Sequence, residues 1–276
     1  MTLDKGLIIM EKQIFVMGDI HGRWEPIRDF YNKNKEKLNL DETENYMILL
    51  GDAGLNYFLT DRDRGIKRKL SKLPFTYFVI RGNHEERPSI LAENNKDKWT
   101  VEPIWDGAVY VEKDFPKIKY AMDNVSMYNI EGYKTLIIPG AYSVDKFFRI
   151  SQGMQWFEHE QLTEEEIIEG RAFIGSNAKF DLVLSHTCPC IFEPTDLFLS
   201  VVDQSTVDKT MERFLGEIEF ELDYRAWMWA HYHTFRDYPR DDGKKKLMLY
   251  NDYTVNLKDY IENEEFEKYE AYNRGQ

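Results

Sequence analysis

Five of the six histidines in this sequence stand at the ends of short apolar runs: His21, His84, His186, His231 and His233, with His159 the exception. Two aspartates and an asparagine share those positions. Asp19 and His21 follow the run IFVMG at 14–18, and Asp52 follows YMILLG at 46–51. Asn83 and His84 follow FTYFVIRG at 75–82, His186 follows LVLS at 182–185, and His231 and His233 follow WMWA at 227–230. Taken singly, each has a plainer reading. Asp19 serves equally as a turn residue or cap, Asn83 as a turn residue, His21 as a satisfied polar group and His186 as a core histidine. Together they form a ligand set. Carboxylate, amide oxygen and imidazole, with no thiolate, suit manganese, iron or zinc. One carboxylate among them is able to bridge two ions roughly 3.5–4 Å apart, the arrangement that stabilises both attacking and leaving oxygens at phosphorus.

Positioning such a set requires strands whose ends converge. Each of the five runs has strand length and lacks strict alternation, which is expected of a strand covered on both faces. Runs at 135–140 and 247–250 read as further strands without a polar cluster. Helical patterns intervene: Ile27, Phe30 and Tyr31 after Trp24, a capping box of Thr163 and Glu166, and a stripe of Val207, Met211, Phe214, Leu215 and Ile218. Residues 100–140 read as shorter strands and turns. The expected class is α/β (α+β), with sheets covered on their outer faces by helices, and ligands gathered at one sheet edge.

The order and types of these pieces, Gly18-Asp-Ile-His-Gly22, Gly51-Asp52, Gly82-Asn-His-Glu85, His186 and Ala230-His-Tyr-His233, resemble the calcineurin-like metallophosphoesterase superfamily. The resemblance implies a central β-sandwich of two mixed sheets flanked by helices, four layers in the order αββα. It implies one divalent ion held by Asp19, His21, Asp52 and His233, and a second held by Asp52, Asn83, His186 and His231, with Asp52 as the bridge. His84 would protonate the leaving oxygen or steady the phosphoryl charge, and a metal-bound hydroxide would attack phosphorus directly. Manganese is the favoured ion, with iron or zinc compatible. Two departures are visible. Ala53-Gly54-Leu55 follow Gly51-Asp52 where protein phosphatases and diadenosine tetraphosphate hydrolases of the superfamily carry Asp-Arg-Gly, so that phosphate-binding arginine is not carried over. Ala230 stands where Gly is usual.

Arg149 is the candidate substrate-binding cation; its plainer reading is a surface arginine or one paired with Asp145. Arg81 is expected to brace its loop through an internal carboxylate, and Trp227 and Trp229 to be core.

Composition bounds the rest. A chain of 276 residues, 42% hydrophobic and 14% aromatic, builds a sizeable core. With no linker-like tract, the expectation is one domain over 1–276, with core motifs at 13–255 and an acidic, solvated tail from about 257 to 276. A formal charge of −13 counts against a partner such as long nucleic acid or a membrane surface, and leaves a small phosphorylated substrate admissible. The Cys188 and Cys190 pair makes a poor zinc or disulfide signature, so a reducing cytoplasm is expected, with both thiols free and buried. No run is long enough to span a membrane, the apolar patch before Met10 is too short for a signal peptide, and Met10 is an alternative start to Met1. Oligomeric state stays open. Competing readings are a small-nucleotide phosphodiesterase or nuclease on the same fold, and a non-catalytic metal-binding scaffold.

Overall fold

Neighbouring residues of one strand belong to different cores, and this explains the unbroken apolar runs. The computed structural model describes residues 12–177, 179–198 and 200–271. Its strands are β1 (Lys12–Met17), β2 (Glu44–Leu49), β3 (Phe75–Val79), β4 (Trp99–Ile104), β5 (Gly107–Glu112), β6 (Ile118–Ala121), β7 (Ser126–Ile130), β8 (Tyr133–Ile138), β9 (Leu182–Ser185), β10 (Ala226–Trp229), β11 (Arg236–Asp237), β12 (Lys245–Met248), β13 (Tyr253–Asn256) and β14 (Lys268–Glu270). The helices are α1 (Glu25–Leu38), α2 (Asp61–Leu70), α3 (Pro88–Asn94), α4 (Lys146–Ser151), α5 (Glu164–Gly175), α6 (Thr210–Glu221) and α7 (Leu257–Glu262). An eight-stranded sheet runs β14-β13-β1-β2-β3-β6-β5-β4 and a six-stranded sheet runs β11-β12-β10-β9-β8-β7.

Ile14, Val16, Ile48 and Phe78 of the larger sheet meet Ile137, Leu184, Met228 and Leu247 of the smaller one in a shared inner core. Phe15, Met17, Met47, Leu49 and Tyr77 point the other way and pack with Ile27 and Phe30 of α1 and Leu70 of α2. On the far side, Leu136, Val183, Trp227 and Trp229 pack with Ile167 and Ile174 of α5 and Phe214 and Leu215 of α6. The expected four layers, helix–sheet–sheet–helix, are therefore present, and both tryptophans are core. Each fully buried side chain of this size contributes roughly 1.5–3 kcal/mol, so both sheets are held by apolar contact on both faces.

The parallel stretches set the site. Strands β1, β2, β3 and β6 run parallel in order, as do β8, β9, β10 and β12. Within each sheet, the carboxyl ends of these strands open on one edge. Helix α5 starts at the expected capping box, Thr163 accepting from the Glu166 N–H while Glu166 reaches back to the Thr163 N–H.

Two expectations need correction. Val207 is not on the α6 stripe, because the helix begins only at Thr210; Lys209 ends an irregular loop before it. Residues 257–271 are not a solvated tail. Leu257, Tyr260 and Ile261 recur at helical spacing and are buried, and β14 closes the edge of the larger sheet by pairing with β13. The glutamates around them had masked these anchors. The start at Met1 or Met10 and residues 272–276 lie outside the described residues. Among the described residues, no helix is long and apolar enough to cross a membrane.

Candidate functional site

Two of the strand-end loops interlock before any side chain is considered. The His21 N–H donates to the Asp52 carbonyl at 2.8 Å and the Gly22 N–H to the Ala53 carbonyl at 2.9 Å, stitching the turn after β1 to the turn after β2. In the smaller sheet, the Ala230 N–H donates to the His186 carbonyl at 2.9 Å. Both turns admit no side chain at key glycines. A Cβ on Gly51 would stand 2.1 Å from His186 Nδ1, and one on Gly82 would stand 2.1 Å from Asp52 Oδ1. The two sheets thus meet with side chain against backbone at this edge.

The side chains then converge. Asp19 Oδ2 accepts from the His231 N–H at 3.0 Å and lies 3.5 Å from His233 Nε2. Asp19 Oδ1 lies 3.6 Å from His186 Nδ1, yet it is buried without a hydrogen-bond partner. Asp52 Oδ1 accepts from the His84 N–H at 2.9 Å and lies 3.7 Å from His186 Nε2. Asp52 Oδ2 stands 3.8 Å from His84 Nε2 and 4.0 Å from His21 Nδ1. His21 Nε2 and His233 Nε2 approach to 2.8 Å, and the His186 and His231 rings are 5.0 Å apart, centroid to centroid. All seven residues expected as ligands, and His84, are brought together.

The hydrogen bonds at His186 and Asn83 test whether this cluster fits a cation. His186 Nδ1 faces the Leu50 carbonyl at 2.7 Å, which only accepts, so Nδ1 carries the proton and Nε2 a lone pair. Asn83 Nδ2 donates to Ser143 Oγ at 2.8 Å, which turns the amide oxygen inward. Ser143 in turn is fixed by the buried Glu160 carboxylate, to which both its N–H and its hydroxyl donate. The outcome is two acceptors, His186 Nε2 and Asn83 Oδ1, facing each other at 2.8 Å. Such a contact is repulsive unless a positive charge lies beside it. Together with the orphaned Asp19 oxygen, it makes the donor set fit a cation. Asp19, His21 and His233 also bring one ligand atom each within 4.8 Å of one another.

Electrostatics separate the two carboxyls. Burial, reinforced by Asp52, pushes the Asp19 carboxyl well up. Burial acts the same way on Asp52, but the imidazoles of His84, His186 and His21 and the His84 N–H more than offset it, and Asp52 is the more acidic of the pair. Burial also lowers His21 and His186, and lowers His231 furthest. Neutral imidazole is the form that ligates metal. Backbone strain marks the same residues. His21 (φ 45°), Asp52 (φ 42°), His231 (φ 71°) and His233 (φ 53°) all occupy the left-handed region. Each costs about 1–3 kcal/mol and persists because the surrounding fold over-determines it.

Arg149 stands at this cluster, and it is paired with Asp145 as well. Its Nε donates to Asp145 at 2.8 Å, Nη1 to Tyr57 Oη at 3.1 Å, and Nη2 lies 3.2 Å from His84 Nε2. Arg81 braces its loop by donating to the Glu160 carbonyl at 2.7 Å, with Asp123 at 3.4 Å. The sequence had not suggested Tyr57, Ser143 or Asn251, which donates to the Asp19 carbonyl at 2.7 Å. For Ser143 a signal existed: it lies three residues past the run ending in Gly140. Both cysteines are free and neither joins the cluster; Cys188 is buried as expected, but Cys190 is exposed, because it opens the irregular loop after β9 rather than packing in a core.

The family model for calcineurin-like phosphoesterases matches residues 12–235. Among solved structures, the protein TT1561 of Thermus thermophilus is 11% identical, with 94% of this chain and 98% of that chain covered at a TM-score of 0.53. The phosphopantetheinyl hydrolase PptH of Mycobacterium tuberculosis is 14% identical over 88% of this chain and 91% of its own, at a TM-score of 0.45. A dimetal phosphatase of Danio rerio is 9% identical over 90% and 96%, at a TM-score of 0.43. At such identities the first of these speaks for the fold alone, and the other two carry no argument. No curated protein sequence matches significantly.

Proposed function

The chain belongs to the calcineurin-like phosphoesterase family, and from that premise we propose that it hydrolyses a phosphate ester of a small molecule, by direct attack of water on phosphorus at a centre of two divalent cations. The observation that carries this reading is the inward pair of acceptors, His186 Nε2 and Asn83 Oδ1, at 2.8 Å beside the ionised Asp52. Asp19, His21, Asp52 and His233 would hold one ion, and Asp52, Asn83, His186 and His231 the other. Divalent ions bound there supply positive charge to the phosphoryl oxygens and acidify water. The set is oxygen- and nitrogen-only, which favours manganese and admits iron or zinc.

The chain's own groups do the rest. Asp52, short of protons and central, is the natural bridge. His84, next to a ligand but aimed past it, protonates the leaving oxygen or steadies the developing charge. Arg149, propped by Asp145 and Tyr57, presents its guanidinium beside His84, where a phosphoryl group is gripped by paired N–H donors. The net charge of −13 supports a small substrate over a long nucleic acid. Two free thiols agree with a cytoplasmic setting.

A panel of phosphomonoesters and phosphodiesters tests the reading, assayed with manganese and again after chelation and re-addition. Turnover that vanishes with chelator and returns with metal is expected. Protein that binds metal but turns over no ester of either kind would be a scaffold instead.

A further inference from the structure

The cluster does not sit in a phosphate-sized notch. It forms one end of a continuous cavity of about 570 Å³, within the size range of pockets that enclose drug-sized ligands. From His84, His231 and His233 the cavity extends to Leu197, Phe198, Val202, Val207 and Tyr232. Tyr232 makes the junction: it lies between the two histidines in sequence, and its ring is 5.0 Å from that of His231.

Leu197, Phe198, Val202 and Val207 belong to none of the three cores. They come from the long loop between β9 and α6, and that loop is tied down on its polar side. Arg236 donates twice to Asp196, at 3.1 and 2.7 Å, Lys209 pairs with Glu193, and Tyr238 Oη donates to the Phe192 carbonyl at 2.8 Å. Held in this way, the loop turns Leu197, Phe198, Val202 and Val207 toward the cavity, and Gln204, Asp208, Lys209 and Glu212 line it beside them. The Phe198 and Tyr232 rings are nearly parallel, 21° apart with centroids at 6.4 Å, and Lys209 Nζ lies 4.7 Å from the Phe198 centroid, so this part of the wall is aromatic. Against the patch of Leu197, Phe198 and Val202, a sugar or polyol would lose its water to groups that cannot replace it. A flat apolar ring would gain.

Resting on the phosphoesterase reading above, we propose that this arm receives the organic part of the substrate, and that this part is an aromatic or similarly flat apolar alcohol. The ester bond lies at the cluster, and the ring lies against Phe198 and Tyr232.

The test compares two esters of matched leaving-group acidity, 2-(1-naphthyl)ethyl phosphate and ethyl phosphate, each as monoester and as methyl diester, on manganese-loaded protein. A kcat/KM preference of at least about thirtyfold for the naphthyl ester is expected from the apolar surface removed from water. Calorimetry with 2-(1-naphthyl)ethanol, which carries no phosphate, reads binding in the same arm without catalysis, with metal and after chelation. Val202→Asp, at a half-exposed position, and Phe198→Ala should each pull the preference toward unity and weaken the alcohol by about tenfold, with unchanged melting temperatures. An octyl ester that outruns the naphthyl ester would overturn the flat-ring assignment. Turnover with no preference and no alcohol binding would overturn the arm altogether. Alcohol binding without turnover of any ester supports the arm and counts against the hydrolase instead, so the two failures are distinguishable.

Discussion

His84 is the residue at which the proposed ligation and the proposed catalysis can be told apart. Its backbone N–H holds Asp52 at 2.9 Å while its ring faces Arg149 and the cavity. A positioned imidazole in the transition state is worth about 10²–10⁴-fold. His84→Ala is therefore expected to lower turnover of an alkyl ester by roughly two orders of magnitude, and that of a nitrophenyl ester by less, at full metal content. Equal losses on both esters would leave His84 as a brace only. Glu212, which accepts from the Thr187 hydroxyl and lines the same cavity, offers a second test. Burial raises its carboxyl to about 7, with Glu193 adding to the rise and Thr187 and Lys209 opposing it. The folded protein thus holds a proton that the unfolded chain releases from about pH 4.5 upward. Stability from this group is complete below that pH and is lost as pH rises through about 7. Glu212→Gln keeps an acceptor for the Thr187 hydroxyl, and should gain up to about 3 kcal/mol over the parent at pH 8, and little at pH 4. Urea titrations at the two pH values measure it; a gain equal at both would remove Glu212 as the cause.

At the scale of elements, the turns matter more than the strands they end. Gly51 (φ 101°) lies under the His186 ring, and no β-carbon fits there without moving that ring off its Leu50 contact. Gly51→Ala is expected to cut activity at least about a hundredfold, with metal content reduced and both sheets intact by circular dichroism, since an L-residue there is strained as well as crowded. Normal metal content in that variant would show that the turn tolerates the shift. The strand ends were legible in the sequence because doubly covered strands read as apolar runs, and the polar residues at their ends have no reason to be there as core. Less was legible where no period exists. The loop before α6 has apolar residues facing a cavity rather than a core, so Val207 read as the start of a helix. Helix α7 and strand β14 were hidden by the glutamates between their few buried anchors. Tyr57 and Arg149 meet at 3.1 Å through the fold alone, and no spacing announces that pairing.

For the whole molecule, the site is divided between the two sheets, with Asp19, Asp52 and Asn83 on one and His186, His231 and His233 on the other. A ligand common to both favours only the docked sandwich. Binding at a hundredfold excess over Kd adds about 2.7 kcal/mol, so removing metal should lower the melting temperature by several degrees, and re-adding manganese should restore it. Asp52→Asn should melt at one temperature with or without chelator. A chelator shift of undiminished size in Asp52→Asn would mean that Asp52 holds neither ion.

Strand β1 lies between β2 and β13, and its antiparallel partner, Tyr253–Asn256, comes far later in the sequence. A ribosome delivers the chain from the other direction. While it works, Phe15, Val16 and Met17 have a neighbour on one side only, and Asp19 waits for His231 and His233. The growing polypeptide therefore carries an adhesive strand until Tyr253–Asn256 has been made. A message stopped just before Tyr253 should yield protein that sediments with the insoluble fraction, although nearly every residue of the site has been translated. Soluble, metal-binding product from that message would show that β2 alone can shelter the first strand.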